Sequence, residues 1–136
     1  MTSKSLDLLK KHEGLRLTPY KDSVGLLTVG YGHLLDQPIT QQQADLYLDE
    51  DYENAMHDCE RLSWFDDLDE ARAGVVVNMV FNLGLAGFRG FKKTIHLIEM
   101  GMYEDAADEM KDSRWADQVG TRADELSEIM RTGEWP

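Results

Sequence analysis

Three residues in the first quarter of the chain have side chains and spacings suited to acid–base chemistry: Glu13, Asp22 and Thr28. Glu13 falls at the expected C-terminal end of a first helix, where unpaired carbonyls gather partial negative charge. That placement disfavours a carboxylate and is expected to help the group keep its proton, as a general acid must. Asp22 follows nine residues later in a turn, and Thr28 six residues after that on a strand. Taken singly, each has a plainer reading. Glu13 is a solvated helix-end acid, Asp22 a turn-former bonding its own backbone, and Thr28 a β-branched strand residue. Taken together they change meaning, because a helix end running into a hairpin can bring all three to one cleft edge. Two carboxyl groups in unlike surroundings across a cleft are what glycosidic bond cleavage requires.

The elements that must position them can be read from periodicity. A first helix is expected over about 3–12, with Leu6 and Leu9 on one face, Ser3 or Ser5 as cap and Gly14 as stop. Residues 15–35 then turn β-branched, aromatic and glycine-rich, and Asp22-Ser23-Val24-Gly25 has the Asp-first, Gly-last order of a type I turn. Thr40 and Gln43 form a capping box, with Ile39 and Ala44 placed to staple it. Ala44, Leu48, Tyr52, Ala55, Cys59 and Leu62 then recur every three or four residues, predicting one buried stripe beneath an acidic outer face.

Asp67 or Asp69 can cap the following segment, whose Gly74–Phe81 run is apolar nearly all round, the mark of an enclosed central helix. Gly84, Gly87 and Gly90 are expected to break it. Shorter helices are predicted at about 92–100, 103–111, 114–118 and 121–131. The fold class is α+β, a small N-terminal β-hairpin region beside a larger helical part.

Composition narrows the function. The chain has 136 residues, 14 Lys+Arg against 26 Asp+Glu, and a net charge of -12. Such acidity argues against nucleic acid as partner and against a polybasic hold on anionic lipid. No signal-peptide core or 18-residue apolar run is visible, and a single cysteine, Cys59, rules out an intrachain disulfide. The acidity is uneven. Residues 36–70 carry twelve acids and one base, whereas residues 1–35 carry five bases and three acids.

The stretch His12-Glu13-Gly14-Leu15-Arg16-Leu17-Thr18-Pro19-Tyr20-Lys21-Asp22, continuing through Gly25 to Thr28-Val29-Gly30-Tyr31-Gly32-His33, resembles the catalytic segment of the phage lysozyme (endolysin) family of T-even type. The shared pattern is Glu-Gly, Tyr-x-Asp, a nearby Gly, then Thr-[Ile/Val]-Gly-x-Gly-His. Asn78–Gly84, Ser113-Arg114-Trp115 and Arg131-Thr132-Gly133-Glu134-Trp135 resemble three further family blocks, in order, so the likeness covers almost the whole chain.

The resemblance implies a single lysozyme-like domain over 1–136. An N-terminal lobe of about 13–60 would face a helical lobe of about 61–136 plus helix 1–12, with the active-site cleft between. It implies hydrolysis of the β-1,4 bond between N-acetylmuramic acid and N-acetylglucosamine in peptidoglycan, with inversion. Glu13 would be the general acid, Asp22 would stabilise the sugar cation and help activate water, and Thr28 would hold that water. An inverting pair stands roughly 6.5–9.5 Å apart to admit the water. Leu34, Phe81 and Thr94 correspond to substrate-contacting positions and Asn82 to a polar neighbour. Arg122 would pair with Glu13, lowering its pKa against the helix-end effect. His33 would pair with Asp51. Plain core packing is an equal reading of Phe81, and Trp115 reads as a lobe-core residue. No cofactor or metal is implied. The expected partner is bacterial peptidoglycan alone, met by a monomer with no stable membrane association. The enzyme would wait in the host cytoplasm until a holin-type lesion releases it to the wall.

Departures from the family pattern point to particular places. Glu109 stands where a substrate-contacting amide is expected. His12 and Glu125 replace an acid and a base that pair, which would reverse the polarity and add a pH-sensitive histidine. The short connection from His33 to Thr40 suggests the loss of a loop and of a third strand. His12, His33, His57 and His96 show no metal spacing. The acidic run Asp49–Glu53 lacks the glycine and terminal Glu of a calcium loop, and Cys59 reads as a core thiol. Two other functions fit the same scaffold: a lytic transglycosylase, disfavoured by the water-holding pair Asp22 and Thr28, and a wall-binding protein without turnover.

Overall fold

Residue chemistry explains where each element of the N-terminal region begins and ends in the computed structural model, which describes residues 3–136. Helix α1, Ser3–Glu13, stops at Gly14, whose φ of +71° suits glycine and whose N–H bonds the Lys10 carbonyl at 2.9 Å. Strands β1 (Arg16–Lys21), β2 (Leu27–Gly30) and β3 (His33–Leu34) form one antiparallel sheet in the order β1-β2-β3. Pro19, with no N–H to give, sits on the edge strand, within the span between Arg16 and Tyr20 where the register slips. Pairing resumes at Tyr20↔Thr28 and Lys21↔Leu27, and β2 pairs onward as Thr28↔Leu34 and Val29↔His33. A third strand therefore survives the short connection, contrary to the loss expected from it. Two residues are enough, because both pair with β2.

The chain divides into two compact units, Met1–Ala44 and Asp45–Pro136. Helix α2, Gln41–Glu60, gives its first turn to the former and the rest to the latter. The capping box is formed as expected. Thr40 N–H donates to Gln43 Oε1 at 2.9 Å, and Gln43 N–H donates to Thr40 Oγ1 at 3.1 Å. The buried stripe of α2 is shorter than its spacing predicts. Ala55 and Cys59 are buried, while Leu48 and Tyr52 are about half-exposed.

The core lies in the second unit. Helix α3, Glu70–Arg89, supplies Val75, Val76, Val77, Met79, Val80 and Phe88, and Asp69 caps it by accepting from Arg72 N–H at 3.1 Å. It is long and apolar enough to cross a membrane, but burial in this core accounts for that apolarity. Its backbone leaves helical geometry only at Gly84, so Gly87 does not break it. Helices α4 (Lys92–Glu99), α5 (Tyr103–Lys111), α6 (Arg114–Val119) and α7 (Thr121–Thr132) follow, adding Ile98, Met110, Trp115, Leu126 and Met130 to the core. Trp115 is buried edge-on against Phe91, their ring centroids 6.0 Å apart, as a lobe-core residue should be.

Candidate active site

Within Met1–Ala44 the one buried residue among those described is Thr28. A polar side chain enclosed in this way needs a partner. It has one: Thr28 Oγ1 donates to the Leu26 carbonyl at 2.9 Å. The N–H of Leu26 in turn donates to Asp22 Oδ1 at 2.8 Å, and Val24 N–H reaches the same oxygen at 3.0 Å. The turn is closed by Gly25 N–H to Asp22 carbonyl at 3.0 Å and Asp22 N–H to Leu26 carbonyl at 2.8 Å, with Gly25 at φ +86°. Asp22 is thus the turn-former its sequence context suggests.

The same bonds give it a second capacity. Both side-chain bonds fall on Oδ1, and Oδ2 takes no protein hydrogen bond among the described residues. Asp22 and Thr28 are fixed to one peptide unit, Leu26, from its two polar ends. The hydroxyl proton of Thr28 is committed, so toward a third group Thr28 is an acceptor.

Glu13 is the last residue of α1 and is exposed. Its carboxyl lies against the backbone of Gly32, so close that a Cβ built there would fall 2.5 Å from Glu13 Oε2 and 3.2 Å from Cδ. Gly32 lies in the two-residue link between β2 and β3, immediately before His33. Leu34 is the cross-strand partner of Thr28 and is half-buried. The hairpin thus gathers Asp22, Thr28 and Leu34, while the link between β2 and β3 approaches Glu13. His33 is exposed on β3.

The second unit holds the other expected residues. Phe81 is 40% exposed, so core packing does not account for it. It lines a cavity of about 360 Å³ with Leu48, Tyr52, Val77, Arg122 and Trp135. Arg122 is oriented there by Asn78, its Nε donating to Asn78 Oδ1 at 2.9 Å. Asp51 lines a different cavity, with Asn54, Asp58 and Phe81. Glu13 and Arg122 lie in different units, as do His33 and Asp51.

Two further expected substrate contacts, Asn82 and Thr94, also lie in this unit. Asn82 is exposed, and its Oδ1 accepts from Nε1 of the buried Trp115 at 2.8 Å. Thr94 is buried on α4, much as Thr28 is buried on β2. Glu109, found in place of an amide, has Oε1 2.9 Å from Lys93 Nζ. That hydrogen bond and the opposite charge raise the Lys93 pKa. The sequence reading missed Gly32 and Asn78. The first could have been sought as the second glycine of Gly30-Tyr31-Gly32, whereas no local signal ties Asn78 to Arg122, 44 positions away.

Comparison with known proteins adds an independent line. The sequence pattern of the phage lysozyme family matches residues 10–131. A probable T4-type lysozyme 1 of Dictyostelium discoideum is 29% identical over 164 aligned positions, covering 98% of this chain and 96% of that protein. The pre-baseplate central spike protein Gp5 of Enterobacteria phage T4 is 27% identical, over 93% of this chain but 27% of its own length. An endolysin of Salmonella phage P22 is 28% identical over 79% of each chain.

Proposed function

Because this chain belongs to the phage lysozyme family, and is therefore a lysozyme, we propose that it is a muramidase cutting the β-1,4 bond between N-acetylmuramic acid and N-acetylglucosamine in peptidoglycan. The observation that carries the mechanism is the joint anchoring of Asp22 and Thr28 on Leu26. A water lying beside them can donate one proton toward Asp22 Oδ2 and the other toward Thr28 Oγ1, which turns its lone pair outward to the anomeric carbon. Glu13 gives its proton to the glycosidic oxygen as the C1–O bond breaks, and the water adds to C1 while its proton passes to Asp22. Attack from the face opposite the leaving group inverts the anomeric configuration. The cycle closes when Asp22 loses that proton to solvent and Glu13 regains one.

Asp22 with one oxygen bound and one open suits this role. Its charge stabilises the oxocarbenium-like transition state, and its orientation is set before substrate arrives, so little reorganisation is needed. The biological setting we propose is host lysis. The enzyme would accumulate in the cytoplasm and reach the wall through a holin-type membrane lesion, a reading supported by the likeness to the P22 endolysin.

The test is turbidity clearing of outer-membrane-permeabilised Gram-negative cells, with mass spectrometry of the released sugars. Reducing-end products that appear with the parent and vanish with Glu13→Gln support the assignment. Full activity of Glu13→Gln overturns it, and 1,6-anhydro products would instead make the enzyme a transglycosylase.

A further inference from the structure

We infer that Gly32 is a positioning residue for the general acid: its bare backbone is the surface that sets where the Glu13 carboxyl stands. The inference rests on the acid role proposed above for Glu13. It starts from a contrast between two glycines on either side of Tyr31. Gly30 and Gly32 share φ of +70°, so a side chain at either meets the same backbone strain. Their surroundings differ. A Cβ at Gly30 would have nothing within 4 Å, whereas one at Gly32 would crowd Glu13 Oε2, Cδ and Cγ, at 2.5, 3.2 and 3.7 Å.

What such a Cβ meets is the far end of a side chain that is flexible and exposed. The carboxyl can therefore swing away at little cost to the fold. The consequence falls on geometry instead. A proton donor moved by about 1 Å from its acceptor loses on the order of 100-fold in rate, because transfer requires hydrogen-bond reach to the glycosidic oxygen. Glu13 has little else in its own unit to fix it. It is exposed, ends its helix, and takes no hydrogen bond from residues of Met1–Ala44 among those described. Van der Waals contact with Gly32 is what limits its rotamers on that side. Glycine is thus required at 32 for two reasons, backbone and contact, and at 30 for the first alone.

The experiment compares Gly32→Ala with Gly30→Ala in the full chain, assayed on soluble uncrosslinked glycan strands alongside thermal melting. Both substitutions should lower Tm by similar amounts, since both place alanine at positive φ. Gly32→Ala should lower kcat by about 100-fold with KM little changed, while Gly30→Ala keeps kcat near that of the parent. Glu13→Asp provides the rescue arm. Its carboxyl is one methylene shorter and clears the new methyl, so Gly32→Ala should cost less kcat in that background than in the parent.

Equal kcat for the two glycine variants overturns the inference, as does the same loss from Gly32→Ala with either acid. Should Gly32→Ala fail to fold, pairing it with Glu13→Ala removes the crowding group and should restore a Tm like that of Gly30→Ala. If it does not, the contact is not with Glu13 and the inference falls. Full activity of Glu13→Gln would instead overturn the acid assignment itself, so the two failures are distinguishable.

Discussion

Asp22 can serve both the fold and the chemistry proposed for it without conflict, because a carboxylate has two oxygens. Oδ1 holds the turn through Val24 and Leu26, and Oδ2 is left for a ligand. The two readings offered by the sequence, turn-former and catalytic group, are therefore not alternatives. Cys59 makes the opposite case, a reactive group withdrawn from chemistry. It is fully buried, and desolvation, then the charges of Asp58 and Glu60, push its thiol pKa up to about 11 from 9.0. A thiol whose folded pKa lies above its unfolded value binds its proton more tightly when folded. Its contribution to stability is intact below pH 9 and is lost as pH rises from 9 toward 11. Two outcomes follow. Iodoacetamide at pH 8 should leave Cys59 unmodified in the folded chain and alkylate it in urea, as mass spectrometry would show. Cys59→Ala should flatten the fall in Tm between pH 9 and 11, and an unchanged slope would assign that fall to other groups.

At the scale of elements, the C-terminal end of α7 depends on a residue from the start of α3. Arg72 Nε donates to the Met130 carbonyl at 2.7 Å and Nη2 to the Arg131 carbonyl at 3.0 Å. It thereby satisfies two of the acceptors a helix end leaves open. Its guanidinium also stacks on Tyr103, 3.9 Å from the ring centre, and pairs with Asp69. Arg72→Ala should cost about 2–4 kcal/mol, more than a surface ion pair, because the bonds are charge-assisted and partly buried. Arg72→Lys should recover little of this, since an ammonium cannot reach two carbonyls in one plane. Denaturant unfolding of both variants checks the ranking.

This tie between α3 and α7 also marks the limit of what was legible in the sequence. Local chemistry was readable. Thr40 with Gln43, Asp69, Gly14 and the Asp22–Gly25 turn each stand where propensity and capping place them, because each bond spans four residues or fewer. Long-range pairings were not readable. Arg72 with Met130, Trp115 with Asn82 and Arg122 with Asn78 join residues 33–58 positions apart, and periodicity carries no information about them. The same gap explains Thr94 and Asn82. Their positions were found by likeness to a family, but the burial of Thr94 and the bond from Trp115 to Asn82 are set by packing between segments distant in the chain.

For the molecule as a whole, the net charge of -12 decides how it meets its substrate. Peptidoglycan and the polymers around it are anionic, so a uniformly acidic enzyme would be held off the wall. The charge is not uniform. Met1–Ala44, which holds Glu13, Asp22 and Thr28, has five bases against four acids, whereas Asp45–Pro136 has nine bases against twenty-two acids. The unit that holds the proposed catalytic residues is close to neutral, and the repulsion comes from the other unit. Repulsion of that kind acts over distance and is screened, with a Debye length of about 10 Å at 0.1 M salt and about 30 Å at 0.01 M. Contacts at the scissile bond are shorter than either length and are largely spared. Raising ionic strength should therefore relieve the repulsion without weakening the site. Clearing of permeabilised cells should hold or quicken as salt rises from about 0.01 M to about 0.15 M, where a basic enzyme would lose its attraction to the wall and slow. The gain should lie in KM, since steering alters encounter and not the chemical step. A steep loss of activity over that range would mean that attraction through the few basic residues outweighs the acidic excess.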